Sequence, residues 1–168
     1  MKFSYTWWTD TLILFFRYFL LAGIAYFIFY VWKQKKYSKI KIQNKIPTRY
    51  RISNEILFSM ITISIYGCVS GLVFKAEKMG ITKIYFDIKN YGYLYLIISI
   101  VLMIFIHDAY FYWTHRFMHI PGIFKRIQKT HHLSDNPTPW SAFSFHPLEA
   151  ILSAGIVPFL IFLFPLSF

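Results

Sequence analysis

Four apolar runs decide what this chain can fold into. Residues 11–32, 56–74, 91–106 and 147–168 are dominated by Leu, Ile, Val and aromatic side chains. Runs of that length take a bilayer as solvent. With no water in the hydrocarbon, their backbone N–H and C=O groups have to pair within the segment, which a helix achieves. The expected fold is therefore all-α, an integral membrane helical bundle of about four transmembrane helices. A hydrophobic content of 57% and a positive mean hydropathy agree and argue against a soluble domain. The formal charge of +11 could suggest nucleic acid. The basic residues lie beside the apolar spans, however, so anionic headgroups are the expected partner and nucleic acid is not. A single cysteine, Cys68, excludes an internal disulfide framework.

Trp7 and Trp8 suit an interfacial aromatic belt, and Thr9 or Asp10 can cap a first helix from about Thr11 to Trp32. That span is too long for a signal-peptide core and lacks a small-residue cleavage pattern, so it is expected to remain as an anchor. Arg17 inside it reads either as a charge beside a substrate path or as an arginine snorkelling to the near interface beside Asp10; the second is preferred. The segment from Lys33 to Arg51 holds eight of the eighteen Lys and Arg residues and no acid, which assigns it to the cytosol. The run from Ile56 to Phe74 recrosses. Lys75 to Asn90 forms a weaker outer loop, in which Glu77 and Asp87 offset four lysines. A third helix from near Tyr91 carries His107 about 24 Å across a core of about 30 Å, so the histidines that follow are expected at the cytosolic interface.

All six histidines, His107, His115, His119, His131, His132 and His146, fall between residues 107 and 149. His115 and His119 are four apart and project from one helix face, where two imidazoles can share one metal. His107 lies eight residues earlier, about 80° round the same helix, and can look into the same space. Pro121-Gly122 ends that helix and lets His131 and His132 fold back over it; His146 precedes Pro147, which suits the first position of a new helix. Asp108, Asp135 and Glu149 are the carboxylates at hand to ligate or to hold a second ring nitrogen. One histidine at a membrane boundary is usually only a headgroup-region polar residue. Six together, with none elsewhere, point to a metal site. Structural zinc normally takes four ligands, often thiolates, and Cys68 is remote; histidine in excess suits a redox pair of metals as well as zinc, and ligand type alone does not choose.

His107-Asp108 leading to Phe111-Tyr112-Trp113-x-His115-Arg116-x-x-His119, then Lys129-Thr130-His131-His132, Asn136-Pro137-Thr138-Pro139-Trp140 and Phe145-His146-Pro147-Leu148-Glu149, resembles the fatty acid hydroxylase and sterol desaturase superfamily. The likeness covers residues 107–150; upstream, only the pattern of hydrophobic spans agrees. It implies a membrane enzyme that uses a histidine-bound, non-haem di-iron centre, molecular oxygen and reducing equivalents to attack an unactivated C–H bond of a fatty-acid- or sterol-type lipid. On that reading the six histidines hold metal, with zinc a possible substitute. Asp108 and Glu149 are then the candidate catalytic carboxylates, supporting the ligands from outside. The chain has no flavin, nicotinamide or haem fingerprint, so an electron-donor protein or reductase is implied.

The family also carries a histidine where this chain has Gln128, and a further histidine cluster beyond another membrane segment. The resemblance thus implies a chain shortened at its C-terminal end. The expected layout is one membrane domain: anchor helices and loops over 1–106, a histidine-rich catalytic segment over 107–149, and a last apolar helix over 150–168. Two other readings stand beside the enzyme. One is an inactive truncated membrane protein or metal-binding subunit; the other is a metal-dependent hydrolase or isomerase at the membrane. Iron with oxygen- and reductant-dependent lipid oxidation separates the first reading from both.

Overall fold

The computed structural model describes residues 7–37, 47–127 and 136–167. His131, His132, Asp135 and Gln128 therefore lie outside the described residues, as does most of the basic loop. Helix α1 (Trp7–Tyr26) continues as a π-helical stretch over Phe27–Trp32, and a short α2 (Gln34–Tyr37) follows. Helix α3 (Arg49–Lys78) returns, strand β1 is Ile84–Tyr85, and α4 (Gly92–Met118) is the third long helix. The short α5 (Pro121–Ile127), a 3-10 turn at Pro139–Phe143, α6 (Pro147–Ala154), α7 (Ile156–Leu163) and β2 (Leu166–Ser167) complete the order. Among the described residues three helices, Trp7–Trp32, Arg49–Lys78 and Gly92–Met118, are long and apolar enough to cross a membrane. The protein is an all-α integral membrane protein, and among the described residues the strand pairing is limited to two parallel residue pairs between β1 and β2.

Local chemistry accounts for the helix ends. Thr48 caps α3 by accepting from the Arg51 N–H at 3.4 Å, and Lys75 and Lys78 in its last turn complement the dipole. The first helix differs from expectation, because the chain is already helical at Trp7 and Thr9 and Asp10 sit inside the helix. Asp10 accepts from the Ser70 hydroxyl at 3.2 Å instead of capping.

Helices α1 and α3 meet at Gly67 and Gly71, one turn apart on α3. A Cβ on Gly67 would come within 2.8 Å of the Thr11 Cγ2, and one on Gly71 within 3.3 Å of the Trp7 ring. Small residues four apart are the usual means by which membrane helices approach closely. The core beside this contact is Tyr18, Ala22 and Ile63, with Leu14, Phe15, Trp140 and Phe143 packed against it.

The last apolar run is two short helices rather than one. Pro158 cannot donate to the Ala154 carbonyl, and the break falls at Gly155, just ahead of it. At about 1.5 Å per residue the run Pro147–Leu163 rises about 25 Å. It packs back along α4, where the Tyr110 hydroxyl donates to the Leu152 carbonyl at 2.7 Å and that of Tyr95 to the Pro165 carbonyl at 3.0 Å. The Lys83 N–H, in the loop between α3 and α4, donates to the Ile161 carbonyl at 3.0 Å. Residues 147–167 thus lead from the histidine end of α4 to its opposite end.

Candidate functional site

Helix α4 delivers the first two histidines. His115 lies in its last turn and His119 caps it, the His119 N–H bonding the His115 carbonyl at 3.1 Å. Their Nε2 atoms stand 3.0 Å apart. With metal–nitrogen bonds of about 2.0–2.1 Å, neighbouring ligands on one metal have nitrogens about 3.0–3.4 Å apart, so the pair already has a chelating spacing. Aromatic rings hold both imidazoles. Phe111 stacks on His115 at 5.9 Å, and Phe124, brought back by the turn before Pro121, stacks on His119 at 5.4 Å.

His146 and Glu149 form the head of α6. His146 is the N-cap, its Nδ1 accepting from the Leu148 N–H at 3.3 Å, and Pro147 occupies the first helical position. The Glu149 carboxylate, three residues on, lies close to the His146 backbone N–H. While Nδ1 accepts, the neutral ring carries its proton on Nε2. To take a metal at Nε2 the ring has to move that proton to Nδ1 and give up the cap.

Glu149 is only 4% exposed, and among the described residues its Oε2 is buried without a hydrogen-bond partner. The His119 ring lies near this carboxyl. An orphaned, buried carboxylate oxygen beside two histidines is a group awaiting a donor.

His107 stands about 12 Å up α4 from His115. It is exposed to a cavity of about 620 Å³ enclosed by α1, α3, α4, α6 and α7. Ile13 and Leu14, Tyr66 and Val73, Tyr110 and Phe111, Phe145 and Val157 make its walls mainly apolar, and Arg17 also lines it. Asp108 is exposed and is not part of the cavity wall. Among the described residues no three His, Cys, Asp or Glu side chains come close enough to hold one metal. What is brought together is the His115–His119 pair with the His146–Glu149 cap nearby.

Sequence reasoning passed over a second polar group. Glu55 on α3 is 3% exposed and accepts from both the backbone N–H and the hydroxyl of Thr138. The Trp140 carbonyl accepts from the Tyr18 hydroxyl at 2.8 Å and the Ser59 hydroxyl at 2.9 Å, and the Phe145 carbonyl from Thr62 at 3.5 Å. The available signal was that Glu55 is the only acidic residue between Asp10 and Glu77.

The paired imidazoles thus stand at the end of a long apolar helix whose His107, two turns further up, lines an apolar cavity. The family description "Fatty acid hydroxylase" matches residues 100–168, which contain every histidine of the chain. Lathosterol oxidase of Mus musculus is 30% identical over 151 residues, covering 89% of this chain and 48% of that protein. A Delta(7)-sterol 5(6)-desaturase of Gibberella zeae is 35% identical over 114 residues, 68% of this chain and 35% of that protein. One of Schizosaccharomyces pombe is 28% identical over 165 residues, 98% of this chain and 47% of that protein. The chain belongs to the fatty acid hydroxylase and sterol desaturase superfamily. It spans about half the length of the curated relatives it matches. No solved structure matches it.

Proposed function

We propose that the chain is the histidine-bearing part of a membrane-bound lipid oxidoreductase, acting on a sterol- or fatty-acid-type substrate with O2 and an external electron donor. The observation that carries this reading is the His115–His119 pair, 3.0 Å between Nε2 atoms, on a helix whose His107 and Phe111, the latter stacked on His115, line an apolar cavity. No side chain here is basic enough to take a proton from an alkyl chain. A bound non-haem di-iron centre would supply oxygen-dependent oxidation of such a C–H bond.

The donor chemistry suits such a centre, although among the described residues only two of the imidazoles, His115 and His119, stand at ligand spacing. His115 and His119 would hold metal, with His107, His131, His132 and His146 as the further imidazoles, and zinc would be accepted by the same donors. Glu149 offers its orphaned oxygen to an imidazole N–H or a bound water. The cavity, within the usual range of about 300–1,000 Å³ for small-molecule sites, takes the lipid, excludes water and leads it past His107. The basic Lys33 to Arg51 segment, two spans before the histidines, supports a cytosolic position for this end, where an electron donor would dock.

The test is metal analysis of the purified chain, set beside oxygen uptake with a chemical reductant and a sterol. Bound iron with reductant-dependent formation of oxidised lipid is expected. Stoichiometric zinc with oxygen-independent turnover would overturn the reading in favour of a hydrolase or isomerase.

A further inference from the structure

We infer that Glu55 is a positioning residue for the histidine site: it pins the irregular 136–146 segment to α3 and thereby sets the head of α6, where His146 stands. The inference rests on the metal-binding reading above and goes beyond it by assigning a role to a buried acid far from the histidines in sequence.

The argument starts from what irregular backbone requires. Residues 136–146 form no α-helix, and they lie against two spanning helices, where unpaired backbone groups are not tolerated. Helix α3 meets this need with a polar stripe. Glu55, Ser59 and Thr62, at i, i+4 and i+7, share one face, and all three are buried at 3% exposure or less. Each addresses a different point of the segment. Glu55 takes both donors of Thr138, Ser59 donates to the Trp140 carbonyl, and Thr62 donates to the Phe145 carbonyl, one residue before His146.

Thr138 transmits the first contact along the chain. Its hydroxyl donates to Glu55 while accepting from the Trp140 N–H at 3.2 Å, so it caps the Pro139–Phe143 turn. Its carbonyl accepts from both the Ser141 N–H at 2.9 Å and the Ser141 hydroxyl at 2.8 Å. A carboxylate is the matching group at Glu55, because Thr138 presents two donors and a carboxylate only accepts. An amide would aim its NH2 at one of them. From Thr138 the turn runs through Trp140 and Phe143, both packed on Tyr18, and delivers His146 and Glu149 to the neighbourhood of His119.

The experiment uses cobalt(II) as the probe metal on the purified 168-residue chain in nanodiscs, with affinity and the cobalt absorption spectrum as readouts. Glu55→Ala should weaken cobalt binding about tenfold to a hundredfold, the range for residues that orient ligands, and should change the ligand-field bands. Because Glu55 acts through His146, the double variant Glu55→Ala/His146→Ala should bind cobalt no more weakly than His146→Ala alone. Thr138→Val should reproduce the effect and Thr138→Ser should restore parental binding, which keeps the test decisive if Glu55→Ala fails to fold. Parental cobalt affinity and spectrum in a folded Glu55→Ala or Thr138→Val variant would overturn the inference alone, as would losses that multiply with that of His146→Ala. A folded parent chain that binds no cobalt would overturn the metal reading and the inference together.

Discussion

The close crossing of α1 and α3 is the foundation of the groove that holds the 136–146 segment, and Gly67 is where it is most exposed to test. A Cβ at this position would lie 2.8 Å from the Thr11 Cγ2 and 3.1 Å from its Cβ. Thr11 cannot easily give way, because it is 8% exposed and its hydroxyl is held by the Trp7 carbonyl at 2.8 Å. Overpacking of this kind costs about 1–3 kcal/mol, offset by roughly 1 kcal/mol of better helix propensity for alanine. Gly67→Ala should therefore lose up to about 2 kcal/mol, a shift of up to about 30-fold toward the unfolded state. Gly122 has nothing within 4 Å of its added Cβ, so Gly122→Ala should be neutral or gain up to about 1 kcal/mol. Adding Thr11→Ala to Gly67→Ala removes the obstructing methyl and hydroxyl and should recover about 1 kcal/mol relative to additivity. Denaturant titration in mixed micelles, followed by helical ellipticity, measures all three. A Gly67→Ala variant at least as stable as its parent would refute the close approach.

Other outcomes follow from the same geometry. His115→Ala and His119→Ala should each reduce bound metal by tenfold or more, while Arg17→Gln should leave metal content unchanged; equal metal in both histidine variants and the parent would remove the central assignment. In a Cys68→Ala background, cysteines placed at Tyr50 and Ile120 should both be shielded from an impermeant thiol reagent in intact cells. One at Thr82 should be labelled, and labelling of Tyr50→Cys but not Ile120→Cys contradicts the arrangement of spans. Tyr110→Phe deletes the hydrogen bond to the Leu152 carbonyl and should cost about 0.5–1.5 kcal/mol in the same micelle titration, with a smaller loss arguing that water or lipid replaces the hydroxyl.

Much of this was legible in the chain because hydrocarbon leaves a segment few choices. The three long helices follow from apolar length, and the chelating spacing of His115 and His119 follows from a separation of one turn. Pro147 marks the start of α6 for the same local reason. Distance along the chain limits the rest. Glu55 and Thr138 are 83 residues apart, and nothing local to either announces their pairing. Thr9 and Asp10 looked like caps because they stand at the edge of an apolar run, yet the interfacial tryptophans extend α1 past them and Asp10 turns to Ser70. His107 shares the helix of His115, but two turns of rise set it against the cavity wall.

His146 leads to a different kind of consequence. One imidazole both starts a helix and stands as a candidate ligand, and the two jobs ask for opposite proton placements on its ring. Filling the site through Nε2 and keeping the first turn of α6 closed are therefore coupled equilibria, and whatever factor metal costs the cap, the cap costs the metal. The amide hydrogen of Leu148, held among the described residues by that ring nitrogen, becomes a local gauge of occupancy: its exchange with solvent should quicken as the site fills.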